Sequence, residues 1–221
     1  MRLNVVHQGS GPPIVFIHGM GTSAASWKAV TDLLAERFHT VAIDLLGHGD
    51  SPVPDDRSLY SRDGALDDID DVLAELDGSA ILVGHSLGGY LALAHIATRP
   101  GVARGVVALN TGPGFRDPEK REDWNERSRR NAHRFGVPEH VADLNLQHDS
   151  AVMDRLAEIE TPTLVLAGGD DRPEYQGSGQ YLERKMAKGA FRLVEGGGHS
   201  MHEETHAAEV ADIIAEFADS L

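Results

Sequence analysis

Ser86 stands between two glycines, in Gly84-His85-Ser86-Leu87-Gly88. A serine hydroxyl attacks a carbonyl carbon only when a base takes its proton. The usual base is a histidine, and a carboxylate usually fixes its tautomer and steadies the imidazolium. The chain offers a base in Gly196-Gly197-Gly198-His199-Ser200. Twelve histidines are present, so most of them are plain surface residues. His199 is set apart by its place after an apolar run and by glycines that let a loop carry one imidazole toward the serine. Two neighbouring acids compete as the carboxylate, in Gly168-Gly169-Asp170-Asp171-Arg172-Pro173. The plain alternative for Asp170 is a turn residue bonding its own backbone. A tetrahedral oxyanion also needs preorganised N–H donors. His18-Gly19-Met20-Gly21 is a loop that could supply one, or a simple Gly-rich turn.

The elements that must position these residues are legible as hydrophobic patterns. Residues 80–83 are a short β-branched run, which predicts a buried strand, and residues 87–98 predict an Ala-rich helix. A strand must turn sharply into a helix at Gly84–Gly88, where side chains would collide with backbone. The turn sets Ser86 at a helix N-terminus, whose free N–H groups favour developing negative charge. The plain alternative is an ordinary serine N-cap. Residues 3–7 suit an edge strand. Further strands are predicted at 14–17, 40–43, 105–109, 163–167 and 190–194, and helices at about 27–37, 61–76, 179–187 and 203–217. Such alternation predicts an α/β fold with a mostly parallel central sheet covered by helices on both faces. Ligands then bind outside the C-terminal ends of the strands, where every motif above lies. Residues 111–160 show no strand pattern. They predict helices near 119–135, 138–146 and 151–158, a short helical cap insertion in an otherwise single domain of 221 residues.

Composition excludes several functions. Net charge is −15, which argues against nucleic acid or an anionic membrane as partner. There are no cysteines, so disulfides and thiolate metal sites are excluded. No apolar run approaches membrane-spanning length and no signal peptide is visible, so a cytoplasmic location is the expectation. Oligomeric state is not legible.

Taken in order, these motifs resemble the α/β-hydrolase superfamily, in its esterase, lactonase and C–C hydrolase group. The residues that carry the resemblance are His18-Gly-x-Gly followed by Trp27, Asp44-x-x-Gly47-x-Gly49-x-Ser51, the Gly84-x-Ser86-x-Gly88 nucleophile elbow, the Asp171 loop and Gly198-His199. It covers the chain except roughly residues 111–160. The resemblance implies a catalytic triad of Ser86, Asp171 and His199, with Asp171 preferred to Asp170 by its spacing from Gly168. It also implies an oxyanion hole from the N–H groups of Met20 and Leu87, with the Met20 side chain lining the pocket. His18 and Trp124 are the candidate pocket residues, Trp124 and Phe135 serving equally well to pack the cap. Two departures stand out: Leu46 where the family often has Arg, and Thr205 where it usually has Pro. The chain is short for the family, which implies an open site for bulky or exposed acyl substrates.

The expected activity is hydrolysis of small carboxylic esters or lactones through an acyl-enzyme, without cofactor or metal. A thioesterase or a C–C bond hydrolase would use the same triad. A ligand-binding protein that kept the fold without turnover is the alternative of another class. His202-Glu203-Glu204-Thr205-His206 fits H-E-x-x-H, a zinc signature. No third ligand follows at a suitable spacing, so it reads as the start of an amphipathic helix. Lys120, Arg121, Arg127, Arg129, Arg130 and Arg134 read as a solvated helix face paired with nearby acids. The alternative is a dock for a substrate carboxylate or phosphate.

Overall fold

Short runs of Val, Ile and Leu form the seven strands of one sheet in the computed structural model, which describes residues 2–221. The strands are β1 (Val5–Gln8), β2 (Pro13–Ile17), β3 (His39–Ile43), β4 (Ile81–His85), β5 (Gly105–Leu109), β6 (Thr163–Gly168) and β7 (Gly189–Val194), in the order β1-β3-β2-β4-β5-β6-β7. β1 runs antiparallel to β3 at one edge. All other pairs are parallel, so the C-terminal ends of β2 to β7 share one rim.

Both faces of the sheet are apolar, and alternate residues of the strands inside the β1 edge feed two separate cores. Val15, Ile17, Leu82 and Val106 pack with α2 (Arg62–Ala74) and α3 (Leu87–Thr98). Ile14, Phe16, Ile81 and Val107 pack with Trp27, α1 (Lys28–Leu34) and the final helix. Central strands therefore read as continuous apolar runs rather than alternating ones.

Between β5 and β6 lie α4 (Pro118–Asn131), α5 (Ala151–Arg155) and three 3₁₀ segments, Ala132–Phe135, Glu139–Asn145 and Leu156–Glu158, with no strand; the helix predicted over 138–146 is the second of these 3₁₀ segments. The remaining helices are α6 (Pro173–Lys185), α7 (Met201–Glu204) and α8 (Ala207–Asp219). Three further helix predictions need correction. The first helix is a 3₁₀ turn at Ala24–Trp27 followed by an α-helix that stops at Leu34. The helix predicted from 179 starts at Pro173, whose fixed φ suits a first helical position. The helix predicted over 203–217 is two helices. Thr205 breaks it with φ −123°, and the His206 N–H turns back to the Met201 carbonyl at 2.7 Å. No helix among the described residues is long and apolar enough to cross a membrane.

Candidate active site

Ser86 follows β4 directly and precedes α3, with φ 51° and ψ −111°. Positive φ is strained for a residue with a side chain. The strain is held from both sides. The Ser86 N–H donates to the Leu109 carbonyl at 2.9 Å, and its carbonyl accepts from Thr111 Oγ1 at 2.8 Å and Tyr90 N at 3.0 Å. Packing explains the flanking glycines. A Cβ on Gly84 would lie 2.2 Å from the Gly88 carbonyl oxygen, and one on Gly88 2.2 Å from that of Ile17. Only bare backbone lets α3 approach β2 and β4 closely enough to lift Ser86 above the rim.

His199 lies in the loop after β7. Its Nδ1 donates to Asp171 Oδ2 at 2.7 Å, which leaves Nε2 as the free basic nitrogen. The Asp171 side chain is 5% exposed, and its other oxygen accepts from the Arg172 N–H at 2.7 Å. Asp170 is exposed and touches this loop only through its N–H, on the Gly197 carbonyl. Among the described residues no hydrogen bond joins Ser86 to His199 in this conformation.

The loop after β2 passes close to the serine: a Cβ on Gly19 would sit 3.4 Å from Ser86 Cβ. Its orientation is fixed by the Gly19 carbonyl, which accepts from His18 Nδ1 at 2.7 Å, Thr22 Oγ1 at 2.9 Å and Thr22 N at 3.2 Å. The peptide is trans, so the Met20 N–H points away from that carbonyl and is held against flipping. Neither this N–H nor that of Leu87 has a partner among the described residues' hydrogen bonds. These are the two donors expected for an oxyanion.

His18 is not a pocket residue. It is fully buried, and its Nε2 accepts from the Leu45 N–H at 3.0 Å. Burial, with the neighbouring His48, lowers its pKa to about 4, so it stays neutral with its proton on Nδ1. Its work is to clamp the Gly19 carbonyl. The Met20 side chain is half-buried against the core and is absent from the cavity wall.

Trp124 does line the cavity. A space of about 230 Å³ opens on Ser86 between Leu87, Tyr90, Phe115, Trp124 and Tyr175. That volume suits a short acyl chain, narrower than the open site expected from the short chain, because Phe115, Trp124 and Gln147 fill the space over the rim. Trp124 is held by its indole N–H, which donates to the Asn145 carbonyl at 2.8 Å.

His202 and His206 do not face one another. Thr205 ends the helix between them, and His206 bonds Thr205 Oγ1 at the surface. His202 is buried, with no hydrogen-bond partner for either ring nitrogen, and burial together with the nearby His199 takes its pKa to about 3. Among the described residues no group of three or more His, Asp or Glu could hold a metal ion. His202 belongs instead to a column of rings. Successive centroids lie 5.2 Å apart for Phe16 and Trp27, 4.2 Å for Trp27 and His202, 4.4 Å for His202 and His85, 4.8 Å for His85 and His199, and 5.2 Å for His199 and Tyr175. His85 Nε2 donates to the His199 carbonyl at 2.9 Å, tying the elbow to the histidine loop. Burial, with His202 beside it, keeps His85 neutral, well below its ordinary pKa.

Asn110 is a positioning residue that sequence reasoning missed. It follows β5 with φ 48° and is fully buried. Its amide donates to the carbonyls of His199 at 2.7 Å and Gly198 at 3.1 Å, and accepts from the Gly168 N–H at 2.9 Å. One side chain thus spaces the Asp171 and His199 loops. The one local signal was an asparagine at a strand end, where left-handed backbone is common for that residue.

The sequence model of the alpha/beta hydrolase family matches residues 14–213. The 2-(acetamidomethylene)succinate hydrolase of Mesorhizobium japonicum is 39% identical over 114 residues, 51% of this chain and 40% of that protein. The pimeloyl-acyl-carrier-protein methyl ester esterase of Methylococcus capsulatus is 36% identical over 115 residues, 52% of this chain and 43% of that protein. Each match thus spans less than half of the relative's length. A solved N-acyl homoserine lactone degrading enzyme superimposes with a TM-score of 0.81 at 27% identity, covering 97% of this chain and 96% of its own.

Proposed function

The chain belongs to the alpha/beta hydrolase family, and from that premise we propose that it cleaves carboxylic esters or lactones through an acyl-enzyme. Residues 111–160 serve as its small cap. The observation that carries this reading is the His199–Asp171 pair at 2.7 Å, set on the same rim as a serine in strained, doubly clamped backbone.

In this reading Ser86 Oγ attacks the acyl carbon as His199 Nε2 takes its proton. The negative charge gathers on the carbonyl oxygen, where the N–H groups of Met20 and Leu87 receive it. The imidazolium, steadied by Asp171, then protonates the leaving oxygen as the acyl C–O bond breaks. Water repeats the sequence: His199 takes its proton, hydroxide adds to the acyl carbon, and Ser86 leaves with the proton back on Oγ. Attack requires the Ser86 hydroxyl to come within hydrogen-bond reach of His199 Nε2. The resulting chemistry does not depend on whether the leaving atom is oxygen or sulfur. A thioester panel therefore belongs in the test.

The test is labelling by a fluorophosphonate probe, with p-nitrophenyl esters, lactones and acyl thioesters as substrates. Stoichiometric labelling of the wild type, lost in Ser86→Ala and His199→Ala, is the expected result. A folded wild type that takes no label would overturn the mechanism.

A further inference from the structure

Eight of the sixteen arginines pair with an aspartate or glutamate. Of the other eight, Arg127 and Arg172 line the Ser86 cavity. They come from different elements, Arg127 from α4 and Arg172 from the turn before α6. Both act electrostatically on one group, the Tyr175 phenol, whose pKa is raised by burial first and by Asp171 and Glu174 as well, while each arginine opposes the rise. Tyr175 also stacks beside His199. The two cations thus stand at one mouth, next to the reacting centre. Arg127 is kept there by a bond from Nε to the Asp123 carbonyl at 3.2 Å and by its place 5.9 Å over the Trp124 ring. Neither interaction neutralises it. Glu174 lines the same rim while Asp171 is taken up by His199, so the charged residues of the cavity wall are two positive and one negative, in a chain whose net charge is −15.

The cavity wall carries a second sign of an absent polar partner. Gln147 is 8% exposed, and its Oε1 has no hydrogen-bond partner. Its position is not loose. Asn125 Nδ2 donates to the Gln147 carbonyl and Asn125 Oδ1 accepts the Gln147 N–H, both at 2.8 Å. A buried amide oxygen without a partner is costly unless a donor completes it or the amide turns over to present Nε2 to an acceptor. Trp124, Phe115 and Tyr90 supply the apolar remainder of the wall.

We propose that the natural substrate is an anionic ester, carrying a carboxylate a few carbons from the scissile bond, which Arg127 and Arg172 receive at the cavity mouth while the Gln147 amide, turned over to present Nε2, donates to a substrate oxygen further in. The proposal rests on the acyl-enzyme reading above and names its substrate class. Guanidinium groups suit a carboxylate better than lysine would, since the planar fork donates two parallel bonds. The volume of about 230 Å³ limits the chain between the two ends to a few carbons.

The test compares kcat/KM for monomethyl succinate and monomethyl glutarate with methyl butyrate and methyl pentanoate, and for butyrylglycolate with its neutral methyl ester. The expected preference for the anionic member is about tenfold or more, the worth of one well-made charge-assisted hydrogen bond. A preference on either the acyl or the leaving-group side supports the proposal. In the double variant R127Q/R172Q the ratio of anionic to neutral substrate falls toward one. Glu174→Gln moves that ratio the other way, a sign that general damage to the fold would not produce. Calorimetric binding of glutarate gives a readout without turnover: wild type binds, and R127Q/R172Q binds at least about tenfold more weakly. Equal rates on charged and neutral esters in wild type, or a preference that survives R127Q/R172Q, overturn the proposal and leave the serine mechanism standing. A wild type without fluorophosphonate labelling or turnover overturns both, even where glutarate binds.

Discussion

Ser86 and Trp124 face the same cavity from regions built in different ways. On the Ser86 side, main chain packs on main chain. Gly88 lies against Ile17, the Gly19 carbonyl is held by three donors, and Asn110 ties two loops through their backbone. On the Trp124 side, long side chains reach across to backbone: Trp124 to Asn145, and Asn125 to Gln147 in both directions. The first construction fixes where atoms sit to a fraction of an ångström and tolerates no added methyl. The second fixes a wall through side chains that substitution can replace. In the proposed acyl-enzyme reading, reaction geometry belongs to the first region, and choice of substrate to the second.

The comparison can be broken most forcefully at the proposed triad. Ser86→Ala should lower kcat about a million-fold while thermal unfolding stays nearly unchanged, which ester kinetics and calorimetry check together. Asp171→Asn should lower kcat about ten-thousand-fold, because the wrong tautomer of His199 is then favoured; rates measured across pH test it.

The next effect separates the regions by stability. Gly88→Ala places a methyl against the Ile17 carbonyl and should cost about 3 kcal/mol or more, seen as a lower urea midpoint. A smaller effect follows from the neutral histidines beneath the rim. His18 and His202 have pKa values of about 4 and about 3, while in the unfolded chain each takes a proton near pH 6.5. Their contribution is therefore complete above pH 6.5 and is lost as pH falls. At pH 5 each loses about 2 kcal/mol relative to neutral pH. His202→Leu should remove its share, so the gap between its own stabilities at pH 7.5 and pH 5 narrows by about that amount. An unchanged gap would show that His202 takes up its proton in the folded state. Smallest of all, Gly136→Ala on the Trp124 side should cost about 1 kcal/mol. Its φ is +67°, but nothing lies within 4 Å of the added methyl.

Legibility in the sequence followed the same division. Glycines mark close backbone approach, so the elbow, the loop after β2 and the loop of His199 could be located from spacing alone. The strands could be read because both sheet faces are apolar. His18 was misplaced because its role depends on Leu45 and Gly19 converging on it, and sequence gives no sign of that meeting. Asn110 bonds residues 58 and 89 positions away, and Gln147 is held by a residue 22 positions away. Such partners are set by tertiary approach. The break at Thr205 escaped notice because the apolar spacing on both sides of it fits one continuous helix.

The ring column has an optical side. The chain has two tryptophans, and each stands in a different region. Trp27 is fully buried against Phe16 and His202, so its emission should lie to the blue and respond when His202 is protonated. Trp124 is half-buried at the cavity wall, so its emission should lie further to the red and change when the cavity fills. With either indole replaced by phenylalanine, the other becomes a private channel. One protein then reports the state of its scaffold and the occupancy of its site in separate colours, with no added dye.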